Sequence, residues 1–281
     1  MILETDLAKD AECVELIYLV EFHVFFLRLI FLILVVSQVF ALFSPLLEQP
    51  LVWCYVVFTK EIPSSLSQVL DIEPNNNPKV ATFYSISNGQ PGLRGLQLGE
   101  HLLKQSIKLL QTENSSITSF VTLSPMPGFK DWLEARLNKY DNTLISDDDL
   151  RRLKKIGITV ENNESLLKVL KTFDPSNGSK DQGYVILKEF LESLGSRYLL
   201  KERHQGKPLD GVCRFHVGNG AQVHRLNFGA DLSQSGIQKS YSLMVNYLYD
   251  IDNDKIAENQ ARYKAGDDVA ASPQVLRQTA N

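Results

Sequence analysis

Residues 80–111, "VATFYSISNGQPGLRGLQLGEHLLKQSIKLLQ", constrain the fold more than any other stretch. Residues 80–87 read as a strand. Gly89, Gly92, Gly95 and Gly99 crowd the turn that follows. Leu103, Ile107 and Leu110 then recur at i, i+4 and i+7, with Leu102 widening the apolar face, so a helix follows. Strand, glycine-rich turn and helix together make a physical recipe for holding phosphate. The first amides of a helix lack intrahelical partners and carry the positive end of its dipole, and glycine lets a ligand approach the backbone. No Gly-Lys-Ser/Thr follows, and the spacing is not G-x-G-x-x-G. At this point a phosphate cradle and a plain loop both stand.

A second stretch, "TLSPMPGF" at 122–129, ends a short run that reads as a strand through Ile117, Phe120 and Val121. Proline fixes φ and lacks an N–H, so Pro125 and Pro127 halt sheet pairing. The residue before a proline is biased toward extended backbone. Ser124 is therefore expected at a stiff corner on the strand's C-terminal end, where small polar residues in α/β proteins often face a ligand crevice. A rigid turn with no further role is the competing reading.

Elsewhere the text alternates between strand and helix. Residues 50–58 are β-branched and aromatic. Ser64 and Ser65 are candidate helix caps, and 71–79 is a loop by its Pro and Asn content. Trp132, Leu133 and Leu137 share one helix face. Ser146 caps the acidic start of another helix, and 165–173 and 185–200 are amphipathic. "CRFHVGNGAQVHRLNF" reads as strand, turn and strand, because Asn219 and Gly220 both tolerate positive φ. His216 then stands just before the turn and His224 beyond it. The last thirty or so residues are polar, with one short helix.

The net charge of −4 argues against a nucleic-acid partner. Cys13, Cys54 and Cys213 are isolated, so neither a disulfide framework nor a zinc cluster is indicated. His216 and His224 lack a third ligand at convincing spacing, and no metal is expected. The amino terminus is unusual. Residues 16–39 are almost wholly apolar, and 29–47 carry no charge, a length that can span a bilayer. A hydrophobic leader helix that crosses a membrane is one reading of 1–38, and a segment that is not native structure is the other.

Four blocks, "FYSISNGQPGLRGLQLGEHLLKQ", "TLSPMPGFKDWL", "RFHVGNGAQVHRLNFGADLSQSGIQKS" and "LMVNYLYD", together resemble the malonyl-CoA decarboxylase family, in the family's order. The likeness runs from about Val39 to about Pro273. It implies an α+β catalytic domain over 39–281 with the GNAT-like acyltransferase fold, a mixed and mostly antiparallel sheet flanked by helices. The family carries a helical domain ahead of this one. Here the apolar leader stands in its place, which favours a truncated or mis-started chain over a membrane anchor. Three positions depart from the family pattern: Ser44, where its F-H-P motif has histidine, and Tyr55 and Gln97, where relatives can carry other polar residues.

The resemblance implies that malonyl-CoA loses CO₂ to give acetyl-CoA, with coenzyme A as part of the substrate and no separate cofactor. Decarboxylation leaves electrons on C2 as a thioester enolate, so donors are needed at a developing oxyanion and a proton donor is needed at C2. The family's catalytic pair falls on Ser124 and His216. Ser124 would hydrogen-bond the malonyl group, and His216, whose ordinary pKa lies near working pH, would protonate C2. Tyr249 and Asn246 are expected to complete the pocket. Gly92, Leu93, Arg94, Gly95 and Gly99 are expected to cradle the coenzyme A pyrophosphate, with Arg94 pairing a phosphate. His101 and His224 read as structural or surface residues. Acyl transfer to an amine and a non-catalytic, membrane-tethered coenzyme A-binding remnant are the competing functions. Family members are often oligomeric through the helical domain, so a homo-oligomer stays open for this chain, and the compartment is expected to be cytoplasmic, with mitochondrial or membrane-associated alternatives.

Overall fold

The computed structural model describes residues 2–3, 15–18, 37–43, 49–71, 77–93, 97–139, 144–155, 163–173, 175, 182–251 and 254–280. These fall into two compact units, one of residues 1–63 with 67–123 and one of residues 64–66 with 124–281. The expected catalytic domain, 39–281, therefore divides between them.

The first unit is a sheet with strands β1 (Ile2–Leu3), β2 (Glu15–Tyr18), β3 (Ser37–Phe43), β4 (Pro50–Thr59), β5 (Val80–Asn88) and β6 (Ser119–Thr122), in that order. Neighbours run antiparallel except β5 and β6, which are parallel and register Val80 against Ser119. A short helix, α1 (Leu66–Leu70), follows β4, and α2 (Leu98–Glu113) links β5 to β6. A parallel pair needs such a crossover. Leu102, Leu103, Ile107 and Leu110 form the buried face of α2, as their spacing predicts. The α+β, mostly antiparallel class expected above is what this sheet and its flanking helices show.

The apolar amino terminus does not follow expectation throughout. Residues 37–43, counted above as part of a spanning helix, form β3 and pair with β4, burying Phe40, Ala41 and Leu42. An uncharged run of this composition serves a buried strand as well as a helix, and the β-branched partner β4 decides the outcome. Among the described residues no helix is long and apolar enough to cross a membrane. Residues 4–14, 19–36 and Ser44 lie outside the described set, and with them most of the leader.

In the second unit, the two-residue strand β7 (Ser124–Pro125) and β10 (Gln222–Asn227) flank β11 (Met244–Tyr249), both antiparallel to it. Helices α3 (Phe129–Asn138), α4 (Asp147–Lys155), α5 (Asn163–Thr172) and α6 (Gln182–Leu200) follow the proline corner. The N-terminus of α4 closes as a capping box: Ser146 Oγ accepts from the Asp149 amide at 3.1 Å and donates to Asp149 Oδ2 at 2.6 Å. A small hairpin, β8 (Arg203–His204) with β9 (Lys207–Pro208), turns on Gln205 and Gly206, both at positive φ. Helices α7 (Gly211–Gly218) and α8 (Gln234–Ser240) flank β10, and α9 (Lys255–Ala265) and α10 (Pro273–Ala280) close the chain, two helices where one was expected.

The main correction is α7. Residues 211–218, expected as the first strand of a hairpin, are helical. Asp210 starts the helix, its Oδ1 accepting from the Cys213 amide at 2.7 Å. Gly220, at φ +88°, ends it. Its amide donates to the Val217 carbonyl at 3.0 Å and the Ala221 amide to the His216 carbonyl at 3.1 Å, the paired bonds of a Schellman closure. Asn-Gly thus serves a helix C-terminus here, because hairpin turn and helix cap alike demand a residue at positive φ. A Cβ on Gly220 would lie 2.3 Å from the Ile256 carbonyl oxygen, whereas one on Gly92 would meet nothing within 4 Å. We expect Gly220→Ala to cost about 2–4 kcal/mol and Gly92→Ala to leave stability nearly unchanged, which urea unfolding of the two variants would measure.

Candidate active site

The Ser-Pro-x-Pro-Gly corner does what its residues dictate. After β6, the chain leaves Ser124 and Pro125 to pair with Val245 and Met244 of β11. This pairing holds Ser124 against a strand whose alternate residues, Val245, Tyr247 and Tyr249, share one face. Helix α7 brings His216 to the same place. Ser124 Oγ lies 3.0 Å from His216 Nε2, and Tyr249 Oη lies 2.8 Å from His216 Nδ1. Both ring nitrogens are therefore engaged by hydroxyls. The imidazole stacks on Tyr247 with centroids 4.5 Å apart, and Phe215 meets it edge-on at 5.0 Å. Ser124, His216 and Tyr249 are all buried.

Burial sets the protonation of this group. Desolvation lowers the His216 pKa from 6.5 to about 3, so the ring is neutral at neutral pH. The expectation of an imidazole titrating near working pH therefore meets a different environment. A neutral ring carries one N–H, which leaves either Ser124 or Tyr249 to donate its own hydroxyl proton to the other nitrogen. Beneath the helix lies a second buried layer. The Asp210 carboxylate accepts from Tyr198 Oη at 3.4 Å as well as capping α7, and desolvation raises its pKa. Burial pushes the Cys213 and Cys54 thiols up to about 12, so both remain protonated.

Asn246 is not brought to this group. It alternates with Tyr247 along β11 and faces the opposite side, where its Oδ1 accepts from Asn227 Nδ2 at 2.8 Å and Arg225 Nε at 3.2 Å. Tyr247, which the sequence reading passed over, is the closest ring to His216. The period of two in "MVNYLY" could have found it, since whatever face holds Tyr249 also holds Tyr247.

The glycine-rich loop lies in the first unit. Pro91–Leu93 forms a single 3-10 turn, and α2 opens at Gln97, whose φ of 56° is left-handed. Gly99 falls in the first turn of α2, as does Glu100, which Lys104 pairs at 2.7 Å. Arg94 and Gly95 lie outside the described residues. Tyr55, one of the departures, packs its ring against Tyr84 at 5.9 Å. His224 is the extra residue of a bulge between β10 and β11, its carbonyl accepting from Ser272 Oγ. Among the described residues no three His, Cys, Asp or Glu side chains are grouped so as to hold a metal ion. A cavity of about 680 Å³, lined by Leu137, Lys168 and Thr172 among others, includes none of the residues around His216.

The family model described as the malonyl-CoA decarboxylase C-terminal domain matches residues 35–281. The mitochondrial malonyl-CoA decarboxylase of Anser anser anser is 35% identical over 240 residues, which cover 81% of this chain and 46% of that protein. The Rattus norvegicus enzyme is 34% identical over 239 residues, covering 81% and 47%. The crystal structure of malonyl-CoA decarboxylase from Rhodopseudomonas palustris superposes with a TM-score of 0.74 at 34% identity, over 87% of this chain and 53% of that one. That from Cupriavidus metallidurans gives 0.73 at 34%, over 86% and 59%. The chain thus spans about half the length of the curated relatives it matches.

A buried neutral histidine has a measurable signature. In the unfolded chain it gains a proton as pH falls through 6.5, whereas in the fold it resists until about 3. Its burial therefore adds stability above pH 6.5 that is lost progressively toward pH 3, roughly 3–5 kcal/mol in all. Asp210 and Glu192, whose carboxyl pKa values burial raises, slope the opposite way. The difference between the unfolding free energies of wild type and His216→Asn isolates the histidine. It is expected to shrink as pH is lowered from 7 to 4.

Proposed function

We propose, since the chain belongs to the malonyl-CoA decarboxylase family, that it converts malonyl-CoA to acetyl-CoA and CO₂ at Ser124, His216 and Tyr249. The observation that carries this reading is the 3.0 Å contact between Ser124 Oγ and His216 Nε2, with Tyr249 on the far nitrogen. These three residues lie inside the span that matches the family.

The chemistry follows from the burial of His216. A malonyl carboxylate within hydrogen-bond reach supplies an opposite charge and draws a proton from solvent onto the imidazole. Ser124 donates a hydrogen bond to the carboxylate or the thioester oxygen. When the bond between C2 and the carboxylate breaks, CO₂ leaves neutral and the electron pair stays on C2, delocalised onto the thioester oxygen. The imidazolium has then lost its counter-ion and passes its proton to C2. One proton is consumed for each CO₂ released. Tyr249 holds Nδ1 and so fixes the ring's orientation. No covalent acyl-serine is required, because nothing is transferred to an acceptor.

In the first unit, Gly92, Leu93 and Gly99, with Arg94 and Gly95, remain our candidates for the coenzyme A pyrophosphate, through the free amides at the start of α2. The compartment named for the goose and rat relatives supports the mitochondrial alternative for this chain.

Formation of acetyl-CoA and CO₂ from malonyl-CoA by the full chain tests the proposal. We expect His216→Ala to lower kcat by about 10²–10⁴-fold. Ser124→Ala should cost about 10²–10³-fold, and Tyr249→Phe about 5–15-fold for one hydrogen bond. A His216→Ala variant as active as wild type would sink the assignment.

A further inference from the structure

Asn219 ends the helix that carries His216, and its side chain has no evident structural task. The residue is 3% exposed, and its Nδ2 is buried without a hydrogen-bond partner among the described residues. Leaving such a donor unpaired costs about 1–3 kcal/mol, and a buried unsatisfied group of this kind calls for an explanation. Its position supplies one. Asn219 stands three residues after His216, at the spacing that sets side chains next to each other on one helix face, with Cβ atoms about 5–6 Å apart.

The backbone on both sides of Asn219 is fixed from α9. The Gly218 carbonyl accepts from Gln260 Nε2 at 3.2 Å, and the Gly220 carbonyl accepts from Asn259 Nδ2 at 3.1 Å. The Asn219 amide itself donates to the carbonyls of Phe215 and His216. The side-chain donor is thus free while its frame is rigid, which is the condition for a preorganised oxyanion site.

We infer that Asn219 is a catalytic residue whose Nδ2 donates a hydrogen bond to the thioester oxygen of the malonyl group as that oxygen takes on enolate charge. This rests on the decarboxylase reading above. The choice of oxygen follows from the direction of charge flow. The carboxylate loses its charge on the way to CO₂, so a donor placed there would hold back the ground state, whereas the thioester oxygen gains charge and rewards a donor most in the transition state. An amide suits this task because it cannot give up its proton and so stabilises the enolate without quenching it at oxygen.

The test uses the full chain with Asn219→Ala, malonyl-CoA turnover, and the infrared carbonyl stretch of bound acetyl-CoA labelled with ¹³C at the thioester carbon. We expect kcat to fall by about 10²–10³-fold, acetyl-CoA binding to stay within a few-fold, and the bound carbonyl to absorb at lower frequency in wild type than in the variant. A variant with kcat within threefold of wild type and an unshifted band overturns the inference and leaves the decarboxylase reading intact. If wild type binds acetyl-CoA yet releases no CO₂ from malonyl-CoA, the decarboxylase reading fails, and with it the catalytic role. The band would then report only whether Asn219 touches the thioester. Should Asn219→Ala not fold, wild type alone decides, since a bound carbonyl at the frequency of free acetyl-CoA overturns the contact.

Discussion

The geometry around His216 depends first on the cap that the Asp210 carboxylate places on α7. An eight-residue helix is too short to be stable by itself in water. This one is held at its start by Asp210 on the Cys213 amide and at its end by the Schellman bonds around Gly220. Between those clamps stands His216, whose carbonyl is part of the closure and whose ring reaches Ser124. Loosening either end would let the imidazole wander by more than the few tenths of an ångström that a 3.0 Å contact tolerates. Asp210 is itself buried, and burying a carboxylate is costly unless it is hydrogen-bonded. The amide of Cys213 and the hydroxyl of Tyr198 meet that need.

Opposite this group, on the far face of β11, a polar cluster holds the sheet in register. Asn246 Oδ1 gathers Asn227 and Arg225 from β10. Glu192 of α6 accepts from the Phe228 amide and from Gln278 of α10, tying both helices to the end of β10. A slip of one residue in β11 would exchange its faces and turn Tyr247 and Tyr249 away from His216. The side-chain bonds between Asn246, Asn227 and Arg225 exist in one register only. Asn246 therefore serves the site from behind, as a residue that fixes which tyrosines face the histidine.

Much of this was legible in the sequence, and the exceptions have physical causes. The α2 face was fixed by Leu103, Ile107 and Leu110 because helical spacing and burial agree there. The proline corner was legible because Pro125 and Pro127 leave the backbone few choices. The helix at 211–218 was not, because Asn219-Gly220 announces only that positive φ is coming, and "CRFHV" suits a strand as well as a short buried helix. The decisive signal was Asp210, three residues before Cys213, a cap that matters only once the helix is entertained. Residues 37–43 misled for a related reason, since an uncharged apolar run does not say which buried element it will join. Tyr247 is legible only from the period of two in β11, which sets it on the same face as Tyr249.

The same burial that complicates His216 as an acid is what suits it to the proposed reaction. An exposed histidinium is well solvated by water, and so gains little by giving up its proton near pH 6.5. Inside this shell of Tyr247, Phe215 and Tyr249 the charged form is unfavourable on its own. It becomes tolerable only beside an anion. A malonyl carboxylate would provide that anion and a departing CO₂ would remove it, so the drive to protonate C2 would rise as the bond breaks. Shell, helix caps and strand register thus work toward one end. They keep the imidazole buried, neutral and fixed, the state from which, in the proposed reaction, a substrate's charge would make it an acid.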